Sequence, residues 1–210
     1  MLDVYPGIFA KDQLELLEKI KLVAPHSTWI HLDLADNTLT NSTSVLLPQV
    51  YGQIVTDRHS LEAHLMVSRP EKYIRQLADA GIKRLIAHVE AEEPRLFLDQ
   101  VRYESVEVAL AIDVATEIEQ IEPFLEELDF VAVLTTEAGA AGLPFQPETL
   151  EKIRAIHQSN PDLPIEVAGG LNPATAKLVR EAGATRLVSE SYIFHQPAKI
   201  AAAIADLQNA

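Results

Sequence analysis

The chain alternates between two hydrophobic periods along its whole length. Short runs of apolar or strictly alternating residues, as a strand requires, are followed by longer stretches with apolar residues every three or four positions, as a helix requires. Val4 to Phe9 is the first strand-like run, and Lys11 to Val23 follows with Leu14, Leu16, Leu17, Ile20 and Val23 at helical spacing. The pattern predicts further strands at Thr28–Leu34, Leu61–Val67, Arg84–Val89, Val106–Ile112, Phe130–Leu134, Ile165–Val167 and Arg186–Val188. Between them it predicts helices near Val45–Ile54, then at Pro70–Ala80, Pro94–Val101, Glu117–Glu127, Pro147–Gln158 and Pro173–Ala182, with Ala198–Leu207 closing the chain. Pro70 and Pro173 suit a first helical turn, and Gly81 and Gly183 suit a helix stop. Eight strand–helix units with no linker or compositional break predict one domain over residues 1–210, folded as a (β/α)8 barrel. A doubly wound open sheet fits less well, because no Gly-x-Gly-x-x-Gly turn follows the first strand.

The second strand carries the first chemical signal. In Trp29-Ile30-His31-Leu32-Asp33-Leu34, His31 and Asp33 share one face while Ile30, Leu32 and Leu34 take the other. Such a pair alone is most simply the polar face of a half-buried strand. The third strand, Glu62-Ala63-His64-Leu65-Met66, adds another imidazole. Two imidazoles and a carboxylate on neighbouring strands could hold a divalent transition metal. Glycines after the sixth and seventh strands, Gly139, Gly142, Gly169 and Gly170, expose backbone amides at the same end of a barrel, where phosphate is often held. Tight turns alone also explain glycine there.

Composition narrows the partners. The 210 residues are 48% hydrophobic and 23% charged, as in a soluble globular protein. Cysteine is absent, which removes disulfides, thiolate metal ligands and cysteine nucleophiles. The formal charge of −14 argues against nucleic acid or an anionic membrane surface as a partner, without excluding a small anion. Neither a signal peptide nor a membrane-length apolar run is present, so the expected location is cytoplasmic.

The order of motifs resembles the ribulose-phosphate 3-epimerase family over nearly the whole chain. It is carried by Trp29-Ile30-His31-Leu32-Asp33, Glu62-Ala63-His64-Leu65-Met66-Val67, His88-Val89-Glu90-Ala91, Phe145-Gln146-Pro147, and Ile165-Glu166-Val167-Ala168-Gly169-Gly170-Leu171-Asn172-Pro173. The resemblance implies a TIM barrel of the ribulose-phosphate-binding type and interconversion of D-ribulose 5-phosphate and D-xylulose 5-phosphate with a divalent metal. It makes His31, Asp33 and His64 the metal ligands and Asp33 one of two acid/base carboxylates. Zinc, manganese and iron are the candidate ions. Gly142, Gly170 and Ser191 would bind phosphate, Met66 would cap the substrate, and the partners would be a phosphorylated sugar and further copies of the chain in a homo-oligomer.

The departures gather at the functional end. The family's seventh strand ends in Val-Asp-Gly-Gly, whose aspartate is a fourth ligand and the second acid/base; Ala168 stands there. Gly7 and Ala10 replace serines, Ala35 and Leu134 replace methionines, and Glu190-Ser191 replaces Gly-Ser beside the phosphate. The family's Asn-Pro-Gly-Phe-Gly-Gly loop becomes Glu137-Ala138-Gly139-Ala140-Ala141-Gly142. Epimerisation needs proton transfer on both faces of a carbon, so Ala168 removes a group the reaction uses. Three readings follow: a divergent epimerase, a non-catalytic barrel kept for binding or assembly, or a lyase or decarboxylase that protonates on one face. Asp36, Glu62, His88, Glu90, Glu137 and Glu190 are candidates to replace the missing group, though for each a solvated charge or a structural hydrogen bond is the simpler role. Glu190 would also repel a phosphate dianion unless it turns away, by about 4 kcal/mol for unit charges at about 4 Å in a medium of effective dielectric about 20.

Overall fold

Eight parallel strands close into a barrel in the computed structural model, which describes residues 2–51, 58–139 and 142–210. The strands are β1 (Asp3–Phe9), β2 (Trp29–Ala35), β3 (Ser60–Met66), β4 (Arg84–His88), β5 (Glu107–Ile112), β6 (Phe130–Leu134), β7 (Ile165–Ala168) and β8 (Arg186–Ser189). Each pairs with its sequence neighbours, and β8 returns to β1 through Asp3↔Arg186 to Pro6↔Ser189. The expected barrel is therefore the observed fold.

Helices α1 (Gln13–Val23), α2 (Pro48–Tyr51), α3 (Ile74–Asp79), α4 (Pro94–Val101), α5 (Thr149–Ser159), α6 (Pro173–Ala182), α7 (Ser191–Phe194) and α8 (Ile200–Gln208) lie between or after the strands. Local chemistry sets several of their ends. Asp12 caps α1 by accepting from the Glu15 N–H at 2.9 Å. Asn172 and Thr175 form a reciprocal capping box on α6, with Pro173 in the first turn. The expected helix over Glu117–Glu127 is instead two 3-10 turns, Ile118–Gln120 and Glu122–Glu127. Pro123 lacks an N–H, and the acidic run leaves few apolar positions to fix a long face. The helix expected at Pro70–Ala80 divides into a 3-10 turn at Pro70–Lys72 and α3. Of the helix expected at Val45–Ile54, Pro48–Tyr51 is helical, and its last part lies outside the described residues.

Period-two alternation divides the strand side chains between two environments. Ile8, Ile30, Leu32, Leu61, Leu65, Leu85, Leu110, Val131, Val133, Val167 and Leu187 belong to the large apolar layer between strands and helices. The lumen has a different character. Ile86, Ala109, Ala111, Phe130 and Ala132 form an apolar cluster on the β4–β6 side. Elsewhere inside the barrel are Tyr5, Trp29, His31, Glu62, Arg84, Glu166 and Arg186. The Arg84 guanidinium lies 3.6 Å from the centre of the Trp29 ring, 2.7 Å from Glu107 and 3.2 Å from Glu62. Its stacking and ion pairs compensate a charge taken out of water. The polar residues rise in layers from this floor to the carboxyl ends of the strands.

Candidate active site

The carboxyl end of the barrel opens into a cavity lined by Asp33, His64, Met66, Leu134, Ala168, Gly170, Glu190 and Ser191 among others. Strand register brings the sequence candidates together there. Asp33 on β2 is the register partner of His64 on β3, and His31 of Glu62. His31 Nε2 lies 3.3 Å from Asp33 Oδ1, and His64 Nδ1 lies 2.8 Å from the same oxygen. Two imidazoles thus converge on one carboxylate oxygen. His31, Asp33 and His64 can each offer a ligand atom within 4.8 Å of the others. Both histidines are buried, whereas Asp33 keeps 22% of its side chain exposed to the cavity.

Further hydrogen bonds run behind these groups. His31 Nδ1 is 2.9 Å from Glu62 Oε1. His64 Nε2 is 2.8 Å from His88 Nε2, and His88 Nδ1 is 2.8 Å from Glu90 Oε2. Glu90 also accepts from the Asp113 N–H at 2.9 Å.

Counting protons tests whether this arrangement suits a cation. Five links join Asp33, His31, Glu62, His64, His88 and Glu90, and each hydrogen bond needs one proton. Three neutral imidazoles supply three, while ionised carboxylates supply none. Both shortages can be placed at Asp33 Oδ1. His31 then donates from Nδ1 to Glu62, His88 from Nδ1 to Glu90, and His64 from Nε2 to His88. The lone pairs of His31 Nε2 and His64 Nδ1 are left facing a carboxylate oxygen. A cation at that meeting point removes both shortages at once, and the donor set of two imidazoles and one carboxylate fits a divalent transition metal.

Without a cation, the electrostatics place one of the missing protons on His31. Burial opposes ionisation of Asp33, but His31 and His64 outweigh it and hold the carboxyl well below the usual range. Burial likewise opposes charge on His31; Asp33 and Glu62 overcome it and raise its pKa. Burial pushes His64 down to about 4, despite the hydrogen bond to Asp33.

The expected phosphate residues Gly142, Gly170 and Ser191 line this same cavity, as does the expected cap residue Met66. Gly170 has φ 58°, and a Cβ there would lie 2.6 Å from the Phe145 backbone nitrogen, so the turn after β7 requires glycine. Ala168 occupies the end of β7 and also lines the cavity, with a methyl group where the family pattern has a carboxylate. Glu190 borders the site but is drawn towards β1: its Oε1 accepts from the Phe9 N–H at 3.1 Å and from Lys19 Nζ at 2.9 Å.

Sequence reading allowed Glu62, His88 and Glu90 a structural hydrogen bond without naming their partners. His88 and Glu62 have structural hydrogen-bonding roles, and neither is a solvated charge. Glu166, on β7, reaches across the lumen to within 3.6 Å of His31 Nδ1, and neither of its carboxylate oxygens has a hydrogen-bond partner among the described residues. Strand alternation marks each of these as inward-facing, but only the closed barrel shows which meet.

Comparison with known proteins agrees with the motifs. The ribulose-phosphate 3 epimerase family model matches residues 3–194. The ribulose-phosphate 3-epimerase of Schizosaccharomyces pombe is 32% identical over 197 residues, covering 91% of this chain and 86% of that protein. That of Bacillus subtilis is 32% identical over 206 residues, covering 93% and 94%. In three dimensions the chain resembles a KGPDC from Streptococcus mutans, with a TM-score of 0.77 at 11% identity, covering 99% of this chain and 96% of that one. A 3-hexulose-6-phosphate synthase gives a TM-score of 0.72 at 17% identity, covering 99% and 98%. These structural likenesses concern the barrel alone, whereas the sequence matches extend to the motifs that build the site. The chain belongs to the ribulose-phosphate 3-epimerase family.

Proposed function

We propose that the protein transfers a proton at the carbon beside the carbonyl of a pentulose phosphate, as a metal-dependent epimerase with an altered second proton site. The observation that carries this reading is the convergence of His31 Nε2 and His64 Nδ1 on Asp33 Oδ1, with all three ligand atoms within 4.8 Å of one another. His31, Asp33 and His64 would hold the ion. When bound, a divalent metal supplies Lewis acidity that lowers the energy of the enediolate.

The chain's own residues perform the rest. Asp33, exposed to the cavity, takes the proton from carbon 3. Glu62 orients His31, while His88 and Glu90 orient His64, so that the lone pairs face the site. Met66 and Leu134 form apolar lining that limits water beside the reacting carbon. Gly142, Gly170 and Ser191 would take the phosphate. Lys19 Nζ holds Glu190 Oε1 towards β1 at 2.9 Å.

Ala168 favours a second reading, in which Asp33 works alone on one face and the reaction is that of a lyase or decarboxylase. Deuterium incorporation separates the two. Protein incubated with zinc, manganese or iron and then with D-ribulose 5-phosphate in D2O should place deuterium at carbon 3 and form D-xylulose 5-phosphate. Exchange without the second sugar would support one-face chemistry. Neither exchange nor epimerisation with any of the three ions would reject the proposed function.

A further inference from the structure

The cavity contains a second carboxylate close to Asp33, on the far side of β1. Phe9 is the register partner of Asp33, and its N–H is bound by Glu190 Oε1. Asp33 and Glu190 therefore reach the mouth at a similar height, from opposite flanks of one strand. Both line the cavity, together with Gly7, Phe9 and Ala168. Gly7, the preceding inward position on β1, adds no side chain of its own, and Phe9 and Val188 line the cavity beside the two carboxylates. A Cβ on Gly7 would lie 2.9 Å from Val188 Cγ1 and 3.8 Å from Glu190 Cβ, so Val188 already fills the space beside Gly7 and only glycine fits next to Glu190.

Glu190 is held in place by groups that leave part of it free. Oε1 receives both the Phe9 N–H and Lys19 Nζ. Lys19 is itself fixed by the Phe9 carbonyl at 2.7 Å and by Glu15 at 2.8 Å. Oε2 receives no hydrogen bond from the described residues. Burial raises the pKa of Glu190, Lys19 opposes that shift, and the Asp33 charge adds to it. The other carboxylate lining the cavity besides Asp33, Glu137, is exposed on the loop after β6.

We propose that Glu190 is the second acid/base of the reaction, acting from the end of β8 in place of the carboxylate that Ala168 lacks at the end of β7. This rests on the epimerase reading given above. In the direction from D-ribulose 5-phosphate, the Asp33 carboxylate takes the proton from carbon 3. The electron pair of that C–H bond becomes the second bond between carbons 2 and 3, and the carbonyl oxygen takes the negative charge. Protonated Glu190 then gives its proton to the opposite face of carbon 3, the carbonyl re-forms, and D-xylulose 5-phosphate is complete. Asp33 is left protonated and Glu190 ionised; exchange of one proton with water at each group restores the starting state. The reverse reaction exchanges their roles.

Glu190→Gln keeps the shape of the side chain and removes its acid/base function. Metal-loaded wild type and variant are compared in D2O with D-ribulose 5-phosphate and D-xylulose 5-phosphate, following inversion and carbon 3 exchange separately. Inversion should fall by about 10²–10⁴, while exchange into D-ribulose 5-phosphate from the Asp33 side stays within about threefold. Glu190→Asp, which keeps a carboxyl, should recover at least about tenfold of the lost inversion. A purely structural role would lower exchange and inversion together, and would overturn the proposal. So would unchanged inversion, or a lower KM at unchanged kcat, which would place Glu190 beside the phosphate instead. Exchange without inversion in the unmutated protein would remove the role of Glu190 and leave Asp33 active. Neither process in the unmutated protein would contradict the proposed function itself, and Glu190 with it.

Discussion

At the scale of single residues, the site depends on where a few protons sit. His88 touches no cavity-facing oxygen of Asp33, but its Nε2 meets His64 Nε2 at 2.8 Å while Glu90 anchors its other nitrogen. With His88 donating to Glu90 and accepting from His64, this chain leaves His64 Nδ1 bare. His88→Ala removes the acceptor behind His64 and should weaken binding of a divalent ion by about 10–100-fold. Calorimetric titration of wild type and variant with zinc checks this, and equal affinities would remove His88 from its positioning role. The sequence made His31, Asp33 and His64 legible because alternation places the first two on one face and the next strand repeats the chemistry. It could not show His88 beneath His64, because that contact depends on how β3 and β4 are brought together. The Lys19–Glu190 pair is further from sight, since 171 positions separate its members and no local pattern joins them.

At the scale of elements, agreement between pattern and structure follows the strength of the local signal. Pro94–Val101, Phe130–Leu134 and Pro173–Ala182 have the expected bounds, each with clear breakers or an unbroken apolar run. α7, four residues long, escapes detection because one turn is too short to display a period. The acidic stretch 117–127 suggested a helix by composition, but Pro123 and repeated carboxylates favour tighter turns. α6 matters to the site because it begins just after Gly170, with Leu171 and Asn172 between them. Asn172 accepts from the N–H groups of Ala174 at 2.9 Å and Thr175 at 3.2 Å. Asn172→Ala should therefore cost about 1 kcal/mol of stability, read from urea unfolding. A change below about 0.3 kcal/mol would mean that packing alone fixes the start of α6.

At the scale of the whole molecule, the barrel tolerates a charged lumen by pairing much of it; among the described residues, both Glu166 oxygens and Arg186 Nη1 are left without hydrogen-bond partners. Burial and the neighbouring Glu62 raise the pKa of Glu166 from the usual 4.5 to about 8. Below pH 4.5 the group is protonated whether the chain is folded or not. Between 4.5 and about 8 the unfolded chain binds fewer protons at this position, so stability falls as pH rises and then levels off. Glu166→Gln removes that decline. The variant should match wild type near pH 4 and exceed it by about 1–3 kcal/mol near pH 8. Parallel unfolding curves across this range would show that the Glu166 carboxyl finds compensation in the folded barrel. Among the described residues, no helix is long and apolar enough to cross a membrane.

The central claim is that His31, Asp33 and His64 share one divalent ion at the point where both imidazoles meet Asp33 Oδ1. Titration of the chelator-stripped protein with zinc, followed by calorimetry in two buffers of different ionisation enthalpy, measures stoichiometry and proton release together. One ion should bind per chain, with net release of at least one proton near neutral pH, since Asp33 and Glu62 overcome the burial of His31 and keep on it a proton that the ion displaces. Asp33→Asn should abolish this binding while the protein remains folded. Failure of the wild type to bind, or undiminished binding by Asp33→Asn, would contradict the account.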